Sequence, residues 1–171
     1  MKIIILFGLI LTLVSCGQTK KSDIEVIKFD TDILNDLNKS SDTVYSKHIG
    51  RADFFTVDYY VNREESVTTK LFRDSNGNVV AYNKAKNNNV FFAIEYFSNG
   101  QVRGKLPEKI DGEYNGFARY YYEDGRVKSE GRFKKGLWSG KWKNYDKNGK
   151  LISIDDYGSG NINPIKTTEV K

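Results

Sequence analysis

The chain has 171 residues, 39% of them hydrophobic and 13% aromatic, with eleven Tyr, ten Phe, two Pro and a formal charge of +5. Aromatic and β-branched enrichment with so little proline argues against disorder and for strands. One cysteine and one histidine exclude an internal disulfide framework and leave too few ligands for a zinc site.

Met1-Lys2 is a short basic start, and residues 3–14 form an apolar run broken only by Gly8 and Thr12. A bilayer-spanning helix needs about 20 apolar residues, so this run fits a secretory signal core instead. It ends Leu13-Val14-Ser15-Cys16, which resembles the lipobox of bacterial lipoproteins. The resemblance implies removal of residues 1–15, a diacylglycerol on the Cys16 sulfur, and attachment to the cell envelope through that lipid. Gly17 rather than Asp follows the cysteine, which implies delivery to the outer membrane. Residues 16–29 then read as a polar, lysine-rich tether.

Residues 30–65 are expected to hold a short helix and the first strands. Ile33, Leu34 and Leu37 stand at i, i+1 and i+4 after acidic residues, which predicts a helix over 30–38. Ser40-Ser41-Asp42 marks a break, and 54–61 reads as a strand. Whether this segment extends a sheet or caps it is open at this stage.

From residue 66 to 158 the chain repeats. Strand-like runs meet Asn-Gly or Asp-Gly at Gly77, Gly100, Gly125 and Gly149, at intervals of 23, 25 and 24 residues. Asn-Gly between apolar runs predicts a two-residue hairpin turn with both residues at positive φ. Between units Tyr121 aligns with Tyr145, Val127 with Leu151, and Phe133 with Tyr157. The predicted fold is mainly β: an antiparallel meander of repeated β-hairpins, lightly packed, with a short N-terminal helix or tether. Residues 159–171 read as a C-terminal tail. Alternation puts Val127, Ser129, Gly131 and Phe133 on one face and Arg126, Lys128, Glu130 and Arg132 on the other; Lys141, Lys143 and Tyr145 oppose Trp142.

The spacing Gly131, Phe133, Gly136, Gly140 and Trp142, after Tyr121-Tyr122 and Gly125, resembles the bacterial variant of MORN repeats. The likeness is close over 112–157 and extends back to about residue 70. It implies a β-hairpin array with a binding role; many bacterial proteins with this repeat are grouped as antitoxin-like. It brings no catalytic residues and no cofactor.

The chemistry of the residues agrees. A triad would need His48, which sits in an unpatterned stretch, and Asp155-Asp156 are strand neighbours that point to opposite faces. No catalytic or metal-ligating set is expected. A carboxylate-based hydrolase is the remote alternative. Residues 101–150 carry thirteen Lys and Arg against seven Asp and Glu, so this half concentrates acidic partners. The binding surface is expected among Tyr121, Tyr145, Trp138 and Trp142 with Arg126, Lys128, Arg132, Lys134, Lys135, Lys141 and Lys143. The competing reading makes the aromatics an internal ladder. The expected partner is a protein, acidic in character, with an anionic envelope lipid or glycan as the alternative; an envelope location argues against nucleic acid.

Overall fold

The computed structural model describes Phe29, residues 31–51 and residues 55–170. The leader, Cys16 and the tether up to residue 28 lie outside the described residues.

One helix, α1 (Thr31–Ser40), precedes the strands β1 (Thr43–His48), β2 (Thr56–Asn62), β3 (Val67–Arg73), β4 (Val79–Lys86), β5 (Asn89–Tyr96) and β6 (Val102–Leu106). Then follow β7 (Lys109–Ile110), β8 (Glu113–Tyr114), β9 (Gly116–Tyr121), β10 (Val127–Lys134), β11 (Leu137–Tyr145), β12 (Leu151–Asp156) and β13 (Lys166–Glu169). Eleven of these strands form one antiparallel meander in chain order, with β7 and β8 pairing separately. The sheet therefore runs straight across the expected boundaries at 65 and 158. Residues 166–169, expected as tail, pair with β12 instead.

The repeat is structural, with a different turn from the one expected. Gly77, Gly100, Gly125 and Gly149 all have φ between 81° and 85°, while the residues before them do not have positive φ. Each glycine N–H bonds the carbonyl three residues back: Asp74, Phe97, Tyr122 and Asp146. That residue in turn donates to the carbonyl four residues ahead. These are three-residue loops, a type I turn closed by a glycine bulge, in place of two-residue turns. Side chains hold the type I geometry: Asp124 Oδ1 accepts from Arg126 N and Asn99 Oδ1 from Gln101 N, both at 3.0 Å. A second irregularity recurs just beyond: the ladders skip Val80, Arg103, Lys128 and Ile152. Gly125→Ala is expected to cost about 1–2 kcal/mol by forcing a Cβ into the left-handed region, and Gly125→Asn less; denaturant midpoints at constant slope check this.

The two-residue turns with both φ positive lie at the opposite end of the hairpins. They are Asn87-Asn88, Asp111-Gly112 and Lys135-Gly136, spaced 24 residues apart. In the middle unit the hairpin folds over. Pro107 cannot donate to a ladder, and β6 pairs with β9 only at Gly104↔Tyr120 and Lys105↔Arg119. Beyond that point β7 and β8 leave the sheet and lie across one face, where Tyr114 O accepts from Gly136 N at 2.9 Å.

Each face has its own core, so the sheet is more fully packed than expected. Paired residues share a face, which makes Ile94, Lys105, Arg119, Glu130 and Lys143 one row and Glu95, Gly104, Tyr120, Ser129 and Asn144 the opposite row. On the first face α1 lays Ile33, Leu34 and Leu37 against Tyr60, Leu71, Tyr82, Ile94, Tyr96, Val102 and Tyr121. Residues 31–62 thus both extend the sheet and cap it, and α1 ends two residues later than the sequence suggests. On the second face Ala93, Leu106, Ala118, Phe133, Trp142 and Tyr157 cluster under Tyr114 of the folded hairpin.

Candidate functional site

The expected surface residues fall in three environments. Tyr121 and Trp142 are buried, one in each core, so neither faces a partner: they belong to the internal ladder. Trp142 lies flat across Gly131, where a Cβ would come within 2.3 Å of the indole. Its Nε1 donates to Arg132 O at 3.1 Å. Alternation identifies these positions as aromatic, but their burial depends on α1 and the β7–β8 hairpin, which a strand pattern does not place.

Tyr145 occupies the repeat position of Tyr121 yet lies outside the cluster under α1. Its hydroxyl donates to Glu130 Oε1 at 2.8 Å, and Arg119 holds Glu130 Oε2 at 2.8–2.9 Å. Burial, then Glu130, pushes the Tyr145 phenol up to about 12. Burial and then Glu95 do the same to Tyr120. A raised folded-state value means that the neutral phenol is favoured by folding. The contribution is full below pH 10 and is lost as pH rises from 10 towards 12. Stability is therefore expected to fall across that window, and Glu130→Gln is expected to bring the Tyr145 midpoint down; phenolate absorbance during a titration reads both.

The basic residues divide as well. Arg126 braces successive turns, donating to Lys147 O and lying 3.7 Å from Asp124 Oδ2. Lys128 sits on a bulge with its ammonium 5.9 Å from the Tyr122 ring centre. Arg132, Lys134, Lys135, Lys141 and Lys143 are exposed. Glu130, beside Lys143 in register, is engaged by Arg119 and Tyr145.

Trp138 differs from the other aromatics. It is 39% exposed, with its inner side packed on Tyr157 at 4.9 Å and Trp142 at 5.5 Å. Next to it stand residues that sequence reasoning missed. Leu137 is 39%, Ile162 74% and Ile165 68% exposed. The loop after β12 runs alongside the start of β11: Asn161 N donates to Trp138 O at 2.8 Å, Gly160 lies against Leu137, and Ile165 lies against Gly158. Register puts Trp138 on the Phe133 face and Leu137 with Lys134 on the other, so this end of the sheet exposes apolar side chains on both faces beside the Lys135-Gly136 turn. A signal was available, since Ile162 and Ile165 flank Pro164 in an otherwise polar stretch with no strand pattern.

Two consecutive strand pairs with their glycine-bulge turns, β9–β10 and β11–β12, form the units that carry this surface. Residues 114–135 and 138–157 match the MORN repeat variant. No curated protein matches the chain. The same turn geometry extends beyond those residues to the hairpins closed at Gly77 and Gly100. The match supports a repeat module with a binding or scaffolding role.

His48 lies in β1, with its ring edge-on to Phe55 at 4.2 Å. Asp155 accepts from Asn144 and Thr167, while Asp156, on the opposite face, accepts from Gly158 N. Among the described residues no group of three or more His, Cys, Asp or Glu is placed to hold a metal ion. Among them no helix is long and apolar enough to cross a membrane.

Proposed function

We propose that this protein is a lipid-anchored binding module of the bacterial cell envelope, fixed through Cys16, most consistent with the outer membrane, and acting without catalysis or cofactor. The partner is an acidic protein with an apolar contact patch, in an antitoxin- or immunity-like role. The observation that carries this reading is the exposed Trp138 at the end of the β10–β11 hairpin, with Lys135 in the adjoining turn and Leu137, Ile162 and Ile165 exposed at the same end of the sheet. An exposed tryptophan on a rigid support, next to a lysine-bearing turn, has the composition of an interface hot spot. The rigid support is the second core, which fixes Trp138 from behind.

The anchor rests on the Leu13-Val14-Ser15-Cys16 motif. Metabolic labelling with an alkyne fatty acid is expected to mark the wild-type chain and leave Cys16→Ser unmarked, with residues 1–15 still attached. A Cys16→Ser chain labelled as strongly as the wild type would refute the anchor. For the immunity role, a neighbouring toxin is expected to regain its effect when Trp138→Ala and Lys135→Glu are combined.

A second reading, a scaffold pressed onto anionic envelope lipid, is favoured by the high exposure of Ile162 and Ile165. Apolar side chains beside lysines insert at membrane interfaces. Flotation of the Cys16→Ser chain with phosphatidylglycerol but not phosphatidylcholine vesicles, weakened by salt, would support that reading over a protein partner.

A further inference from the structure

The face opposite Lys143 carries a groove of about 550 Å³ that the surface described above does not include. Its floor is formed by the interior strands β4, β5 and β6, and one wall by the folded β7–β8 hairpin. Six residues give it its chemistry: Phe72, Asn83, Glu95, Arg103, Lys109 and Tyr114. From this geometry we infer that the groove binds a saccharide chain, in a site separate from the protein-binding tip.

The polar groups decide the ligand class. Asn83 Oδ1 is buried without a hydrogen-bond partner, and a buried acceptor left unpaired is costly. Asn83 itself lines the groove, so rotation of its side-chain amide would present this acceptor to a ligand donor there. Glu95 adds further acceptor capacity, since an ionised carboxylate takes several bonds and Arg103 Nη2 occupies its Oε2 at 3.0 Å. The cations in the groove have partners in its walls. Arg103 pairs with Glu95, and the Lys109 ammonium lies 4.6 Å from the Tyr114 ring centre. The site therefore offers acceptors in need of donors rather than an anion trap.

Hydroxyl-rich ligands fit this balance, because each O–H both donates and accepts. Burial, then Glu95, holds the Tyr114 phenol above its ordinary value, so it stays a neutral donor. Phe72 and Tyr114 are half-buried rings at the groove walls, which suit the apolar C–H faces of sugar rings. An extended peptide fits less well. Peptides that add to a sheet use an open edge, and β4, β5 and β6 are interior strands paired on both sides. Cleavage is not implied either: Glu95 is the sole carboxylate among the lining residues, and glycoside hydrolysis uses a pair.

The groove owes its shape to the repeat. Arg103 is the residue skipped by the β5–β6 ladder, and a bulge re-aims its side chain, here onto Glu95. Gly104 leaves room for Tyr120, whose ring would lie 2.9 Å from an added Cβ.

Calorimetric titration of the full chain in detergent micelles with soluble chitotetraose, cellotetraose and tetragalacturonate tests the site. At least one is expected to bind. Asn83→Ala and Glu95→Gln are each expected to weaken that binding tenfold or more, with Glu64→Ala in the β2–β3 loop unchanged. Asn83→Ala removes an unsatisfied acceptor, so its melting temperature is expected to equal or exceed that of the wild type. A loss of binding with unchanged stability marks a ligand contact rather than a structural role. Failure of all three saccharides to bind, equal binding by Asn83→Ala, or occupation of the groove by an extended peptide in their place would overturn the inference. None of these outcomes bears on the partner proposed for the Trp138 tip.

Discussion

Trp142→Ala is expected to lower stability by about 3–5 kcal/mol, the usual cost of emptying a large aromatic site. The indole is 4% exposed and packs on Phe133, Tyr120 and Trp138 at 5.4, 6.1 and 5.5 Å between ring centres. It also loses the Nε1–H bond to Arg132 O. Gly131→Ala attacks the same contact from the other strand. A Cβ there meets indole carbons at 2.3–2.5 Å, so the ring must leave its slot, at a cost of about 1–3 kcal/mol. The two changes should not add. With Trp142 already Ala, the slot is empty and Gly131→Ala should cost only its small backbone term. A double-mutant cycle by denaturant unfolding reads this coupling. Additive losses would mean that the glycine serves something other than the tryptophan.

Leu71→Ala is the second large effect, about 2–5 kcal/mol. Leu71 is fully enclosed at 0% exposure, at the centre of the cluster between α1 and the sheet. Its removal loosens the seat of α1, so hydrogen exchange should quicken in residues 31–40 and in β2 to β5. The cluster around Trp142 lies on the opposite face, shown by the neighbours Ala93 and Ile94 entering different cores. Leu71→Ala and Trp142→Ala should therefore add within a few tenths of a kcal/mol. If they couple strongly, the two faces are mechanically one.

The repeat was legible in the sequence because its physical cause is local. A residue at positive φ is needed at each tip, and glycine supplies it at Gly77, Gly100, Gly125 and Gly149. The meander and its antiparallel order follow from that punctuation. The type of turn was not legible in the dipeptide. Whether Asn-Gly closes a two- or a three-residue loop depends on the register of both flanking strands, here set by the bulges at Val80, Arg103, Lys128 and Ile152. The true two-residue turns include Asn87-Asn88 and Lys135-Gly136, whose dipeptides lack the Asn-Gly or Asp-Gly signal.

The site was partly legible. Lysine density in 101–150 follows from composition, and the shared face of Lys141 and Lys143 from alternation. Tyr121, Trp142 and Trp138 look alike in sequence but differ in what covers them. Tyr121 sits beneath α1, Trp142 beneath a hairpin that folds over at Pro107, and Trp138 has a covered inner side only. Strand periodicity assigns a face; it does not say which face another element reaches. The same limit hid β13 and the exposed Ile162 and Ile165, because β13 pairs with β12 across a loop.

The most direct measurement is photo-crosslinking in growing cells, with p-benzoylphenylalanine replacing Trp138 in the otherwise intact chain and, separately, replacing Glu64 in the β2–β3 loop. A binding module with its contact at the Trp138 tip predicts one discrete protein adduct from position 138. That adduct should be missing from position 64 and lost when Lys134→Glu and Lys135→Glu are added. No protein adduct from position 138, or the same adducts from both positions, would contradict the account.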